Sequence, residues 1–268
     1  MSNSNELPDI QKTKDPRNVY IQQAGICNLK IPISIKTRDS VYSCNTIANV
    51  KVSIDVDPEI KGINMSRLPI FVQYHDSLTL DIMVHYTNEI CKICESRRCD
   101  LEYDFAYFLK KVAPVSKQYG VVSYDCSFKV IKNGYLYDKF ISVTAIASTC
   151  CPCSKEISDY NAHNQKCYIT LSVKMNEDDF IWLEDLIKIA EDSASCEIFS
   201  VLKRPDEKYV TEKMYDHPQF VEDVVRDAYL KLKELPIISE FKVTAEADES
   251  IHMHKACASI QTDGWVNF

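Results

Sequence analysis

The sequence predicts an α+β fold in which antiparallel strands pair with their chain neighbours and helices interrupt them. Three observations carry this expectation. Several runs alternate apolar and polar residues with period two, other stretches space their apolar residues as a helix does, and the whole order of elements occurs twice. The second occurrence begins at Asn133-Gly134, a strong hairpin signal.

Taken in order, residues 1–20 are polar and read as a mobile leader. Strands are expected over Leu29–Lys36 and over Val50–Val56, the latter with Val50, Val52, Ile54 and Val56 on one face. Ile82, Met83, Tyr86, Ile90, Ile93 and Cys94 then recur at helical spacing. Leu101, Tyr103, Phe105 and Tyr107 mark a third strand, and Val122, Tyr124, Cys126, Phe128 and Val130 a fourth.

Past the hairpin, Ile141, Val143, Ala145 and Ala147 share a face, and after a polar loop so do Cys167, Ile169, Leu171, Val173 and Met175. A helix is expected from near Asn176 through Trp182, Leu186 and Ile189. Another should start at Pro218, a favoured first-turn residue, and stop before Pro236. Phe241, Val243, Ala245 and Ala247 form a strand, and His252–Ile260 the last. This divides the chain into a leader (1–20) and two modules, 21–132 and 133–268.

Composition excludes several roles. The formal net charge of −8 lacks the basic footprint of a nucleic-acid binder. With only five glycines, the chain has no Gly-rich phosphate loop. No apolar run is long enough to cross a membrane, and the N-terminus has no signal-peptide core. Twelve cysteines without an export signal point to reduced thiols and a cytoplasmic address.

The richest segment is Cys150-Cys151-Pro152-Cys153, followed by His163-Asn164-Gln165. A thiolate and an imidazole across a loop between strands supply two ligands of the kind borderline metals take. An incompletely ligated metal keeps a position for water, as metal-assisted hydrolysis requires. Buried or incidental thiols are the plainer reading of the same residues, and both stand at this point.

Lys203-Arg204-Pro205-Asp206-Glu207 offers two cations for a phosphate and a carboxylate ligand, or else a solvated charge run. Glu222 falls in the first turn of a helix, where a carboxylate is favoured on electrostatic grounds alone. His252 and His254, two apart on an expected strand, would face one way. Cys91-x-x-Cys94 followed by Cys99 has no second ligand pair and reads as part of the apolar pattern of its helix.

Together these segments resemble the type IB GTP cyclohydrolase I family. The motifs are CPCSKEIS with AHNQ, LKRPDEKYVTE, PQFVEDVVRD and ESIHMH, with KGINMSR at 61–67. They fall in order over roughly residues 20–260. Asn64 departs from the family's KG-x-HMSR, which carries His there.

The resemblance implies a tunnelling fold of two tandem modules, each an antiparallel sheet backed by helices, assembled as a homotetramer with active sites between subunits. It implies GTP as substrate, and 7,8-dihydroneopterin triphosphate and formate as products, at the first step of tetrahydrofolate synthesis, with queuosine synthesis as an alternative or additional destination of the product. One divalent metal per site, Zn²⁺, Mn²⁺ or Fe²⁺, would be held by Cys151, His163 and Glu207. Glu222 would anchor the guanine edge, and Cys153, Glu249 and His252 would complete the catalytic pocket. Lys203, Arg204, Ser66 and Arg67 are candidates for the triphosphate.

Two related enzymes share parts of this pattern. An archaeal-type cyclohydrolase would open the same ring but give a cyclic phosphate. A tunnelling-fold nitrile reductase would use a thioimide cysteine and a nicotinamide cofactor instead. A metal- or purine-binding protein with an inactive site is the non-enzymatic counterpart.

Overall fold

The computed structural model describes residues 9–38, 42–72, 77–176 and 179–265. The early strands are β1 (Ile21–Lys36), β2 (Ser43–Val56), β3 (Arg98–Val112), β4 (Tyr119–Asn133) and β5 (Leu136–Cys150). They are followed by β6 (Asn164–Met175), β7 (Cys196–Glu197), β8 (Ile238–Ala247) and β9 (Ala256–Gln261). The helices are α1 (Leu80–Cys94), α2 (Pro152–Ile157), α3 (Leu183–Glu191), α4 (Arg204–Asp216) and α5 (Val221–Lys233). Strands hydrogen-bond in the order β1-β2-β3-β4-β5-β6-β8-β9, with β7 on β5, so the α+β expectation holds.

Contacts divide the chain into two compact units. The first comprises residues up to Ile35 with Asn45–Asp104 and Lys129–Asp138; the second comprises Lys36–Cys44, Phe105–Phe128 and residues from Lys139 on.

In the first unit, Val50, Val52, Ile54 and Val56 are all at most 3% exposed, as their alternation predicts. β1 lies so close to β2 that a Cβ on Gly25 would come within 1.9 Å of the Val52 carbonyl oxygen, so only glycine fits. Of the expected leader, residues 1–8 lie outside the described residues. Its second half is tied down: Asp15 N–H donates to Glu59 O (2.9 Å) and Lys61 N–H to Thr13 O (3.1 Å).

Thr79 caps α1 by accepting the Ile82 N–H on its hydroxyl (3.2 Å). The helix buries Leu80, Met83, Thr87, Ile90 and Cys91, a stripe rotated from the expected one, while Ile93 is exposed. Thr87 can be buried because its hydroxyl donates to Val84 O (2.8 Å). Thr79→Ala should therefore cost about 1 kcal/mol, measurable as a lower urea midpoint at unchanged m-value. The Asn133-Gly134 hairpin forms as expected, with Gly134 at φ +62°.

The second unit is built on register. Val143 lies opposite Leu171, and Leu171 opposite Val243; Ala145, Ile169 and Ala245 make the next row, and Ala147, Cys167 and Ala247 the next. All nine are fully buried. α5 packs against β8 and β9 with Val221, Val224, Val225, Ala228 and Leu232 buried, and α3 packs against β6. The alternate residues of β5 and β6 are polar and bond to each other, Thr144 to Thr170 (2.8 Å) and Ser142 to Ser172 (2.9 Å).

Three expectations need correction. α3 begins at Leu183 rather than near Asn176, because the Asn176 N–H is spent on Ile237 O and Trp182 is the N-cap. α5 begins at Val221 rather than Pro218, since Phe220 is its N-cap and gives its N–H to the Asp223 carboxylate (3.1 Å). The last strand begins at Ala256, not His252. The sequence reading also missed α4, whose only buried residue is Asp206 and which therefore has no apolar stripe. Among the described residues no helix is long and apolar enough to cross a membrane.

Candidate metal and substrate site

β5 ends at Cys150 and β6 begins at Asn164, and these two residues are register partners. The segment between them is thereby closed into a loop whose ends, Cys151 and His163, stand side by side. Cys151 N–H donates to His163 O (3.1 Å). Ser154 clasps both: its hydroxyl donates to Cys151 O (3.1 Å) and accepts the His163 N–H (3.2 Å). Its own N–H donates to Cys151 Sγ (3.4 Å), which makes the thiol the N-cap of α2. Pro152 suits the first position of that helix.

Behind His163 lies a polar chain. His163 Nδ1 is 2.9 Å from Gln165 Oε1, and Gln165 Nε2 donates to Glu249 Oε1 at 3.4 Å. The second Glu249 oxygen is 3.9 Å from the same ring nitrogen. Gln165 is buried, and the His163 and Glu249 side chains are each only 16% exposed. The AHNQ motif includes Gln165 without assigning it a role; its signal is its place two residues beyond His163, at the start of β6.

Glu249 sits where β8 gives way to a loop pinned by Asp248 N–H to Lys166 O (2.9 Å). In that loop His252 N–H donates to Glu249 O (3.2 Å), and the His252 and His254 rings stack with centroids 4.9 Å apart. The two imidazoles do come together, but through a turn rather than strand alternation. Cys153 is exposed on α2.

α5 is also brought to this corner: Gln219 N–H donates to Cys150 O (3.0 Å), three residues before Glu222, which is exposed in the first helical turn. α4 meets α2 at its other end. Lys155 Nζ donates to Tyr215 O (2.6 Å) and lies 4.1 Å from the centre of the Tyr215 ring. Glu207 is eight residues back from that contact, roughly 12 Å along the helix axis, and it does not form a metal-holding group with Cys151 and His163. Among the described residues no three His, Cys, Asp or Glu side chains gather as a metal-holding group.

The first turn of α4 is nonetheless rigidly placed. Asp206, fully buried, accepts N–H bonds from Val115, Ser116 and Lys203, each 2.8 Å long. Burial alone raises the Asp206 pKa, but the hydrogen bonds from Ser116, Lys203 and Val115 outweigh it and hold the carboxyl well below its usual range. The stabilisation is therefore present above the unfolded carboxyl pKa of about 4 and is lost as the pH falls through the depressed folded value. Asp206→Asn should lower the melting temperature at pH 7, with the gap to the unsubstituted protein closing in acid. Lys203, Arg204 and Glu207 are exposed on this anchored turn.

Ser66 and Arg67 belong to the first unit, in a single 3-10 turn. Arg67 Nη1 donates to Ile93 O (3.0 Å) and borders a cavity of about 590 Å³ with Asp55, Asn64 and Arg97. Cys91, Cys94 and Cys99 lie in the same unit, and a hydrogen bond from Cys99 lowers the pKa of the Cys91 thiol despite burial.

The family model described as "Type I GTP cyclohydrolase folE2" matches residues 7–258. The chain belongs to this family. Its type I GTP cyclohydrolase relatives include the GTP cyclohydrolase FolE2 of Fervidobacterium nodosum, 41% identical over 258 residues, covering 96% of this chain and 98% of the relative. That of Thermotoga petrophila is 40% identical over 260 residues, covering 97% and 99%. Among solved structures, the uricase of Arthrobacter globiformis aligns with TM-score 0.50 and 9% identity over 92% of this chain and 96% of that one. At that identity the likeness is one of fold, and the fold it supports is the tunnelling fold.

For a member of the type I GTP cyclohydrolase family, the residues at this corner fit a metal. A thiol and an imidazole sit side by side, and the imidazole is backed by an amide and a carboxylate, the usual outer support of a ligating histidine.

Proposed function

We propose that this chain hydrolyses GTP to 7,8-dihydroneopterin triphosphate and formate at a divalent-metal site on Cys151 and His163, with Glu207, which stands apart from that pair in this structure, as the carboxylate ligand once the first turn of α4 joins them. The observation that carries this reading is the pairing of Cys151 with a His163 already oriented from behind by Gln165 and Glu249. The chemistry a Zn²⁺, Mn²⁺ or Fe²⁺ ion would supply there is Lewis acidity, which makes water nucleophilic at neutral pH.

The chain's own residues supply the rest. The Glu222 carboxylate accepts hydrogen bonds from the guanine N1–H and 2-amino group, fixing the purine so that C8 faces the thiol–imidazole corner. His252 or Cys153 exchanges protons with the ring nitrogens as the imidazole opens and formate leaves, and Glu249 completes the pocket. Lys203, Arg204, Ser66 and Arg67 neutralise the triphosphate. Completing the ligand set requires the first turn of α4, and a homotetramer with sites between subunits is the assembly we propose. A reducing, cytoplasmic setting suits a thiolate ligand, and the product would feed tetrahydrofolate synthesis, with queuosine synthesis as an alternative or additional destination.

Formate release from GTP, measured with Zn²⁺, Mn²⁺ and Fe²⁺ supplied in turn, tests this reading, with mass spectrometry of the pterin. A retained triphosphate is expected. A cyclic monophosphate would assign the archaeal-type reaction, and absence of formate with every metal would remove the catalytic reading altogether.

A further inference from the structure

Gln165 has a side chain whose two ends differ chemically but not in shape, so something must decide which end meets His163. The neighbour that can decide is Glu249. One Glu249 oxygen is 3.4 Å from Gln165 Nε2, and a carboxylate only accepts hydrogen bonds. Turning the amide over would set Gln165 Oε1 against that carboxylate, oxygen to oxygen, in a pocket where Gln165 is 8% exposed. The observed orientation instead directs Oε1 at His163 Nδ1, 2.9 Å away. An oxygen there can only accept, so Nδ1 must carry the hydrogen. The lone pair then resides on Nε2.

We propose that Gln165 is a positioning residue, and that Glu249 acts through it to fix His163 as the Nδ1–H tautomer, leaving Nε2 as the ligating nitrogen. This rests on the reading of His163 as a metal ligand. It adds which nitrogen binds, and assigns that choice to a residue 86 positions away in sequence. The order of control is carboxylate, then amide, then imidazole. The second Glu249 oxygen, 3.9 Å from Nδ1, favours a hydrogen there from the same side.

The tautomer can be read without any metal. In metal-free protein labelled with ¹⁵N-histidine, held well above the ordinary imidazole pKa of about 6.5, long-range ¹H–¹⁵N spectra distinguish Nδ1–H from Nε2–H. Unsubstituted protein should show His163 as Nδ1–H. Gln165→Leu, which removes the amide, and Glu249→Gln, which removes the carboxylate that orients it, should each give a mixture of tautomers. Each should also weaken Mn²⁺ or Zn²⁺ binding by roughly 10- to 100-fold, the usual effect of losing an outer partner.

An Nε2–H tautomer in the unsubstituted protein would overturn the proposal, as would variants that keep pure Nδ1–H. Should Gln165→Leu not fold, Glu249→Gln decides alone, because it keeps the size and shape of the side chain at the loop side of the pocket. If the underlying metal reading were wrong instead, the tautomer pattern would still appear while metal affinity stayed absent in every form.

Discussion

Replacing Cys151 with alanine should strip the protein of its metal and abolish formate release from GTP. The thiol is one of two potential ligands already held together, and a soft anionic sulfur has no substitute in a methyl group. Loss of a direct ligand should exceed the effect of an outer partner, so affinity should fall by more than about a hundredfold. Cys151 also accepts the Ser154 N–H at the start of α2, so alanine removes a helix cap as well. Cys151→Ser separates the two effects, because a serine oxygen caps well but is a poor ligand beside a thiolate. The serine variant should melt near the unsubstituted protein and still lack metal. Full metal occupancy in that variant would move the ligand assignment elsewhere.

Glu222→Ala should behave in the opposite way, keeping metal and losing turnover. Two hydrogen bonds from guanine to a carboxylate are at stake, worth roughly 3 kcal/mol or more together, so kcat/KM for GTP should fall at least about a hundredfold. The plainer role of a glutamate in a first helical turn is worth only about 0.3–1 kcal/mol of stability. Stability and catalysis thus predict effects of different size on different measurements. Near-normal kcat/KM with a small drop in melting temperature would reduce Glu222 to a helix-end charge.

The parts of the molecule that follow a local period were legible in the sequence. The alternating residues of β2, β5, β6 and β8 are buried as their pattern says, and Asn133-Gly134 turns the chain where a left-handed residue is needed. What was not legible depends on partners far away in sequence. α4 has no apolar stripe, and its first turn is fixed by Asp206 bonding to Val115 and Ser116, a contact without local signature. The alternation of His252 and His254 suggested a strand, but the turn at Glu249 stacks the rings instead. The pairing of Cys151 with His163 was legible through spacing and motif, while the amide behind His163 required the fold.

The closed loop between Cys151 and His163 has an evolutionary corollary. Because the strand register and the Ser154 clasp hold both ends, the stretch around Asp159 and Tyr160, where Tyr160 is 90% exposed, is not needed to keep Cys151 beside His163. Lineages can lengthen, shorten or redecorate that tip without retuning the centre beneath it. A short glycine-serine insertion after Asp159 should accordingly leave metal uptake intact.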